Sequence, residues 1–339
     1  MRKVKIEGGH HIEPRKSKLK GNIVSVDFVS AYPHAIMMNN LISKTKELGK
    51  VEESLKKVFM ERLKAKEEGD KIKSLSYKIV INSFYGLLGN QAFKTLYNPS
   101  AAGETTKIVR SWLKRLAKTL EENGFYVLYG FTDNVMCLIP EWSSKEQLQI
   151  ITNKFIEEIK EESKFPLNTF KLELEKEMKF IWFVAKNCYL WVDKNNKVGY
   201  KQTLLNTNTP KIIMQLFQDY ISPKIISSLD VDFTQQELIT ELKKLLQNTP
   251  ELSGIEYNVK SIQEYPSKTS MQYQISEKYG EGKHFLISNL KKIGVGKEKK
   301  YCTIEEFKEN GLTHKDINIS HLVQHLKPFY KNNNQEKLK

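Results

Sequence analysis

The chain has 339 residues, 40% hydrophobic and 28% charged, an ordinary balance for a globular protein and enough length for two or three domains with cores of their own. Its 54 Lys and Arg exceed its 40 Asp and Glu, and the formal net charge of +14 favours a polyanionic partner, nucleic acid ahead of an anionic membrane. No apolar run has the length of a membrane span, the basic N-terminus lacks the apolar core of a signal peptide, and Cys137, Cys188 and Cys302 offer neither a zinc spacing nor a disulfide framework.

Residues 22–29, NIVSVDFV, predict a strand, and YPHAIMMNNLI predicts a turn into a helix. Residues 51–66 read as a basic helix stopped at EEGD, and 71–88, KIKSLSYKIVINSFYGLL, as a second helix, so the two can pair as a helical hairpin. A third helix covers 105–123, with Ile108, Trp112, Leu116 and Leu120 at helical spacing and Gly124 just past its end. VLYGFTDNVMCLI, Val127 to Ile139, is two apolar runs around turn-forming residues: a hairpin with Asp133 at its tip and, unusually, the apolar Phe131 beside it. A helix over 145–162, strands over 169–174, 181–185 and 189–192, and helices over 210–229 and 235–247 follow. The remainder is mixed and polar, without repeats, and YKNNNQEKLK reads as a frayed tail. This order predicts an α+β domain with a helical excursion, then a helical domain beyond a break near 205–210.

Four stretches carry groups suited to one chemistry. Asp27 ends a hydrophobic strand in SVDFVSAYPHAI, followed by Tyr32 and Pro33. In KIVINSFYG, Lys78, Asn82 and Tyr85 share one helix face. Asp133 sits on its hairpin, and Arg62 and Lys66 lie four apart on the preceding basic helix. Two carboxylates on adjacent strands can hold Mg²⁺, which takes its other ligands from phosphate and water. Cations beside them can neutralise a triphosphate, and flat aromatic rings can pack against a sugar and base. Singly, each has an ordinary reading as a turn residue, a solvated face or a helix end. Their combination is what points to catalysis.

That combination resembles the polymerase half of family B DNA polymerases. DFVSAYP is similar to the family's motif A, KIVINSFYG to motif B and YGFTDN to motif C, in the family's order. EGGHHIEPRKSKLKGNIVSVDF resembles the Gly-Gly linker and the lead into the palm. AAGETTKIVRSW resembles the palm helix, with Thr106 and Arg110 in register. LELEKEMKFIWFVAKNCYLW is similar to the palm strands that end in a Lys-Lys-Arg-Tyr motif, and KKIGVGKEKKYCTIEEFKENGLTHKDI to a thumb. The resemblance covers nearly the whole chain.

It implies an α+β right-hand polymerase fold with an antiparallel-sheet palm, short helical fingers and a mostly helical thumb. The corresponding division is a linker over 1–20, palm over 21–45, fingers over 46–90, palm again over 91–207, thumb over 208–330 and a tail over 331–339. Asp27 and Asp133 would be the catalytic, metal-binding aspartates, with the Phe28 carbonyl as a backbone ligand, for two Mg²⁺ ions that Mn²⁺ can replace. Tyr32 would lie under the incoming sugar as a gate against ribonucleotides. Arg62, Lys66, Lys78 and Asn82 would bind the triphosphate, and Tyr85 and Gly86 would face the nascent base pair. Lys186 and Tyr189 would touch the primer-template, and Glu175 or Glu177 would supply a further palm carboxylate.

The chain also departs from the family pattern. Phe131 stands where the first Asp of the family's Asp-Thr-Asp is usual, and Asn134 replaces a Ser. Lys186 to Tyr189 reads Lys-Asn-Cys-Tyr, two cations short of the family motif, which implies weak, salt-sensitive DNA binding. Ala31 replaces a usual Leu, and the segment between motifs A and B is short. The chain begins at the Gly-Gly linker, so the N-terminal and exonuclease domains would lie on a separate polypeptide, be lost, or be missing from a truncated chain. A split arrangement fits a viral replication system in a host cytoplasm. Expected partners are primer-template DNA, dNTPs, such a separate polypeptide, and a clamp or other replisome proteins, with no membrane. Two other readings compete with an active polymerase subunit. One is a catalytically weak polymerase-like scaffold that binds DNA in a replisome. The other, a generic basic nucleic-acid-binding protein, explains the charge and none of the motifs.

Overall fold

The computed structural model describes residues 7–42, 46–201, 204–206, 209–265, 267, 270–287, 290 and 302–331. Most of the expected tail, and the thumb-like stretch KKIGVGKEKKY, fall outside the described residues. The described residues pack as two compact units, one formed by those up to 16 with those in 21–179, the other by 17–20 with the described residues from 180 onward.

The first unit contains strand β1 (His11–Ile12) and β2 (Lys18–Phe28) from Gly21 onward, then helices α1 (Ala31–Met38), α2 (Lys46–Glu67), α3 (Lys71–Gly89) and α4 (Pro99–Glu122). The hairpin β3 (Tyr126–Phe131) and β4 (Asn134–Leu138), helix α5 (Lys145–Glu162) and the first part of β5 (Leu172–Ala185) complete it. The strands lie in the order β1-β3-β4-β2-β5, and β1–β3, β3–β4 and β2–β4 pair antiparallel. The period of two along β2 explains its position. Val24, Val26 and Phe28 enter a core with Val109, Trp112 and Leu116 of α4 and Phe155 and Ile156 of α5. The intervening Ser25 and Asp27 therefore project from the opposite face.

Helices α2 and α3 form the expected hairpin. Gly69, at φ +75°, makes the turn, and the Asp70 side chain caps α3 by accepting from Lys73 N–H at 2.9 Å. Leu55, Phe59, Ile81 and Leu88 pack between the two helices, together with Ile36 and Met37 of α1. Helix α4 begins six residues before the expected start. Asn98 caps it by accepting from Ala101 N–H at 3.0 Å, and Pro99 occupies the first turn, where a missing N–H costs nothing.

One expectation about the strands is corrected. The segments read as 169–174 and 181–185 form a single strand, β5, running through the charged stretch Glu173–Lys179. Alternation survives inside that stretch only as the buried Met178, so the charges hide the strand. The two units divide within β5, at 179/180, whereas composition suggested a break near 205–210. The reason lies in the second core: Phe180 and Trp182 of β5 pack with Leu204, Ile212, Leu216 and Phe329.

The second unit continues with β6 (Cys188–Asp193), paired antiparallel to β7 (Val198–Tyr200). The helix expected over 210–229 is α6 (Lys211–Leu216), a π-helical turn at Phe217–Ile221, and α7 (Ser222–Ser228) in succession. Helix α8 (Gln235–Asn248) opens on a capping box in which Thr234 and Glu237 satisfy each other's backbone N–H groups. An antiparallel pair that the sequence did not announce, β8 (Ile255–Val259) and β9 (Gly282–Leu286), flanks helix α9 (Met271–Tyr279). Short helices α10 (Ile304–Glu309), α11 (Ile319–Gln324) and α12 (Lys327–Lys331) follow. Among the described residues no helix is long and apolar enough to cross a membrane.

Candidate active site

Asp27 stands near the end of β2, directly opposite Asn134 of β4. The Ser25 hydroxyl donates to its carboxylate at 2.7 Å and accepts a longer contact from the Asn134 amide at 3.4 Å. Asp133 occupies the two-residue turn between Phe131 and Asn134, the paired residues that close the hairpin. The preceding Thr132 adopts φ +62°, and the Asp133 carbonyl accepts from Phe28 N–H at 2.9 Å. That bond fastens the hairpin tip to the end of β2, one residue from Asp27.

Glu175 is the third carboxylate at this point. It hydrogen-bonds Asp27, and the alternative, Glu177, is engaged by Lys145. Crowding by the surrounding protein, then the bond to Asp27 and that group's charge, push the Glu175 carboxyl above the usual carboxylate range. Of the two glutamates left open in the sequence, Glu175 is the one that lies beside Asp27. The signal was present in the alternation of LELEKE, but not which Glu would meet β2.

Tyr32 packs beside Tyr85, ring centroids 4.6 Å apart, and the Tyr85 hydroxyl shares a 2.5 Å hydrogen bond with Thr106 of α4. Burial, then the proximity of Tyr85 and Asp133, push the Tyr32 hydroxyl up to about 12. Arg110 lies close enough to oppose that shift and is ion-paired to Glu7. The structure therefore brings Asp27, Asp133, Tyr32 and Tyr85 together with Thr106 and Arg110.

Arg62 and Lys66 also converge here. Arg62 donates to the hydroxyl of Ser30, a residue at φ +54° between β2 and α1, and its charge is sensed by Glu173. Lys66 and Lys171 both pair with Glu173, at 3.0 and 3.1 Å. Burial acts to raise the Glu173 carboxyl, but these two ammonium groups prevail and hold it below the usual range. Nothing in the local sequence marks Ser30 or Glu173 as holders of these cations. Lys78, Asn82 and Gly86 are exposed along α3, and a Cβ added at Gly86 would meet nothing within 4 Å.

Lys186 and Asn187 form the turn between β5 and β6 in the second unit, with Lys186 exposed. Asn187 has φ +53°, a conformation that Asn tolerates better than the long cationic side chain usual there. Tyr189 is buried, 1% exposed, among Phe183 and Trp191, with the Lys201 ammonium 5.6 Å from its ring centre.

Among the described residues no group of three or more His, Cys, Asp or Glu side chains is arranged as a closed metal site. Mg²⁺ requires less, one or two carboxylates with phosphate and water for the remainder. Asp27 and Glu175 suit it: the two carboxyl groups meet between β2 and β5, and a cation there would offset their mutual repulsion.

The family model for DNA polymerase family B matches residues 57–279, a span that includes α3 and Asp133. Over 225 residues the chain is 31% identical to DNA polymerase 1 of Pyrococcus abyssi, covering 57% of this chain and 28% of that protein. Against DNA polymerase 1 of Saccharolobus solfataricus the identity is 32% over 146 residues, 42% of this chain and 15% of the relative. The family B DNA polymerase of Pyrobaculum calidifontis superposes on 100% of this chain and 48% of its own with a TM-score of 0.55, at 14% identity, a likeness of fold. The chain thus spans less than a third of these curated relatives and about half of the solved one. With its matched segment taking well over half of its 339 residues, this chain belongs to DNA polymerase family B.

Proposed function

We propose that the chain carries the nucleotidyl-transfer centre of a DNA-directed DNA polymerase, adding dNTPs to the 3′-hydroxyl of a primer. The observation that carries this reading is the meeting of Asp27 and Glu175, with Asp133 tied to β2 beside them and four family-motif residues around them. In this reading residues 21–45 and 91–207 form the palm, 46–90 the fingers and 208–330 the thumb.

Asp27, Asp133 and the Phe28 carbonyl would hold two Mg²⁺ ions, which when bound lower the pKa of the primer hydroxyl and neutralise charge on the phosphates. The remaining tasks belong to side chains. Arg62, Lys66, Lys78 and Asn82 bind the triphosphate, and the first two must exchange Ser30 and Glu173 for phosphate oxygens when they do so. Tyr32, held against Tyr85, presents a ring edge under the sugar, where a 2′-hydroxyl would collide. The primer oxygen bonds to the α-phosphorus, the bond to the β-phosphate bridge breaks in line, and pyrophosphate departs.

Primer extension with purified wild type and Asp133→Ala, side by side in Mg²⁺ and dNTPs, tests the assignment. The expected result is extension by wild type and a loss of about 10³-fold or more in the variant, the scale on which removing a transition-state charge stabiliser acts. Equal extension by both proteins would remove Asp133 from the reaction. Extension by neither would reject the chain as a polymerase in its own right.

A further inference from the structure

A cleft with a volume of about 480 Å³ runs between α5 and β5, wholly inside the first unit. That size falls within the roughly 300–1,000 Å³ common for small-molecule sites. Lys145, Gln149 and Asn153, spaced four apart on one face of α5, line one wall. Lys171, Glu173 and Glu175, alternate residues leading into and along β5, line the other. The Gln149 amide donates to the Asn153 side-chain oxygen at 2.8 Å, so the polar end that Asn153 keeps for another partner is its N–H donors.

The cleft is continuous with the candidate active site. Glu173 pairs with Lys171 at 3.1 Å and with Lys66, assigned above to the triphosphate, at 3.0 Å. Glu175, two residues on, meets Asp27. Both lining carboxylates therefore have a partner in the centre.

The charges of the lining exclude simple ligands. A bare anion would face Glu173 and Glu175, and a bare cation would face Lys145 and Lys171. An apolar molecule would desolvate all four. A polyphosphate carrying a divalent cation satisfies both sets: the ammonium groups take phosphate oxygens, and the carboxylates take the cation directly or through its water. Exchange comes at little cost, because Lys145 is paired with Glu177 and Lys171 with Glu173 in partly exposed ion pairs that contribute little on their own.

We infer that the cleft between α5 and β5 is a staging site for a metal-bound polyphosphate, the triphosphate on its way into the centre or the pyrophosphate on its way out. This rests on the nucleotidyl-transfer reading above. Lys171 and Lys66 share Glu173, so a phosphate can pass from one lysine to the other while Glu173 keeps a partner throughout. Lys145, Lys171 and Asn153 hold the ligand in transit and are separate from the groups that hold it during transfer.

Equilibrium dialysis of the full chain, without DNA, against labelled pyrophosphate and labelled dTTP tests this, each with Mg²⁺ and with EDTA. An Arg62→Ala/Lys78→Ala background removes much of the centre's own share of the binding. Adding Lys145→Ala and Lys171→Ala to it should weaken binding with Mg²⁺ about tenfold or more, the scale of one charge-assisted hydrogen bond. Adding Lys145→Arg and Lys171→Arg instead, which keep the charge, should leave binding near that of the background. EDTA should weaken it as strongly as the alanines do. A loss confined to dTTP identifies an entry site, a loss confined to pyrophosphate an exit site, and a loss of both a shared path. In extension assays the two alanines alone should raise KM for dNTP with kcat kept for an entry site, or weaken inhibition by pyrophosphate for an exit site. No binding in the background, unchanged binding of both ligands in the alanine variant, or binding indifferent to Mg²⁺ overturns the inference. Dialysis needs no turnover, so a chain that binds polyphosphate here and extends no primer rejects the polymerase reading and leaves the cleft standing.

Discussion

His34 is the residue whose burial has the clearest measurable consequence. It lies behind the site on α1, fully enclosed, with Nδ1 3.0 Å from the Ser30 carbonyl and Nε2 3.0 Å from the Thr169 hydroxyl. Phe59 and Phe170 pack on its ring, at 4.8 and 5.1 Å. Burial outweighs its backbone hydrogen bonds and drops its pKa from 6.5 to about 4. Between those values the unfolded chain binds a proton that the folded chain refuses. The stability of the neutral ring is therefore complete above about pH 6.5 and is lost as the pH falls toward 4. The loss is on the order of 3 kcal/mol, taken from the size of the shift. Melting temperature followed from pH 7 to pH 4 should fall, and His34→Gln should start lower at pH 7 and fall less steeply. A variant with the same pH slope as wild type would mean that His34 does not carry the transition. The same histidine holds Ser30, and Ser30 holds Arg62, so acid loosening would reach Arg62.

At the scale of elements, the helices owe their boundaries to caps as much as to their apolar faces. Asn98 is the test: replacing it with Ala removes the bond to Ala101 N–H and should cost about 1 kcal/mol, visible as a lower denaturation midpoint with an unchanged slope. An unchanged midpoint would show that Pro99 alone sets the start of α4. This cap also explains what the sequence concealed. PSAAGETT has no large apolar residue at helical spacing, so periodicity found α4 only from residue 105, although Asn98 and Pro99 mark its beginning. Helices α2, α3, α5 and α8 were legible because their apolar residues repeat at helical spacing. Strand β5 was only half legible, because its middle alternates charge with charge, and only the neighbouring strand reveals it as one element. In the site, Asp27, Asp133, Tyr32 and Tyr85 could be named from their motifs. The partners Ser25, Ser30 and Glu173 depend on cross-strand register and helix docking, which local sequence does not encode.

For the whole molecule the governing quantity is charge. A surplus of +14 must contribute to any grip on DNA through phosphate contacts, and such contacts weaken as salt restores the released counterions. The turn at 186–187 offers one exposed lysine, and the positive φ of Asn187 disfavours a second long cation beside it. Tyr189 is spent on the core of its unit. Binding should therefore be modest and steeply salt-dependent. Anisotropy titrations of a primer-template between 50 and 200 mM salt should show affinity falling by about 10²-fold or more, as expected for several phosphate contacts. Lys186→Ala should flatten the slope of log affinity against log salt by about 0.9, the contribution of one phosphate contact, with little change in preference among sequences. If the slope is unchanged, Lys186 does not meet the backbone. If affinity is tight and indifferent to salt, the charge surplus serves another purpose, and DNA is held by contacts other than those to its phosphates.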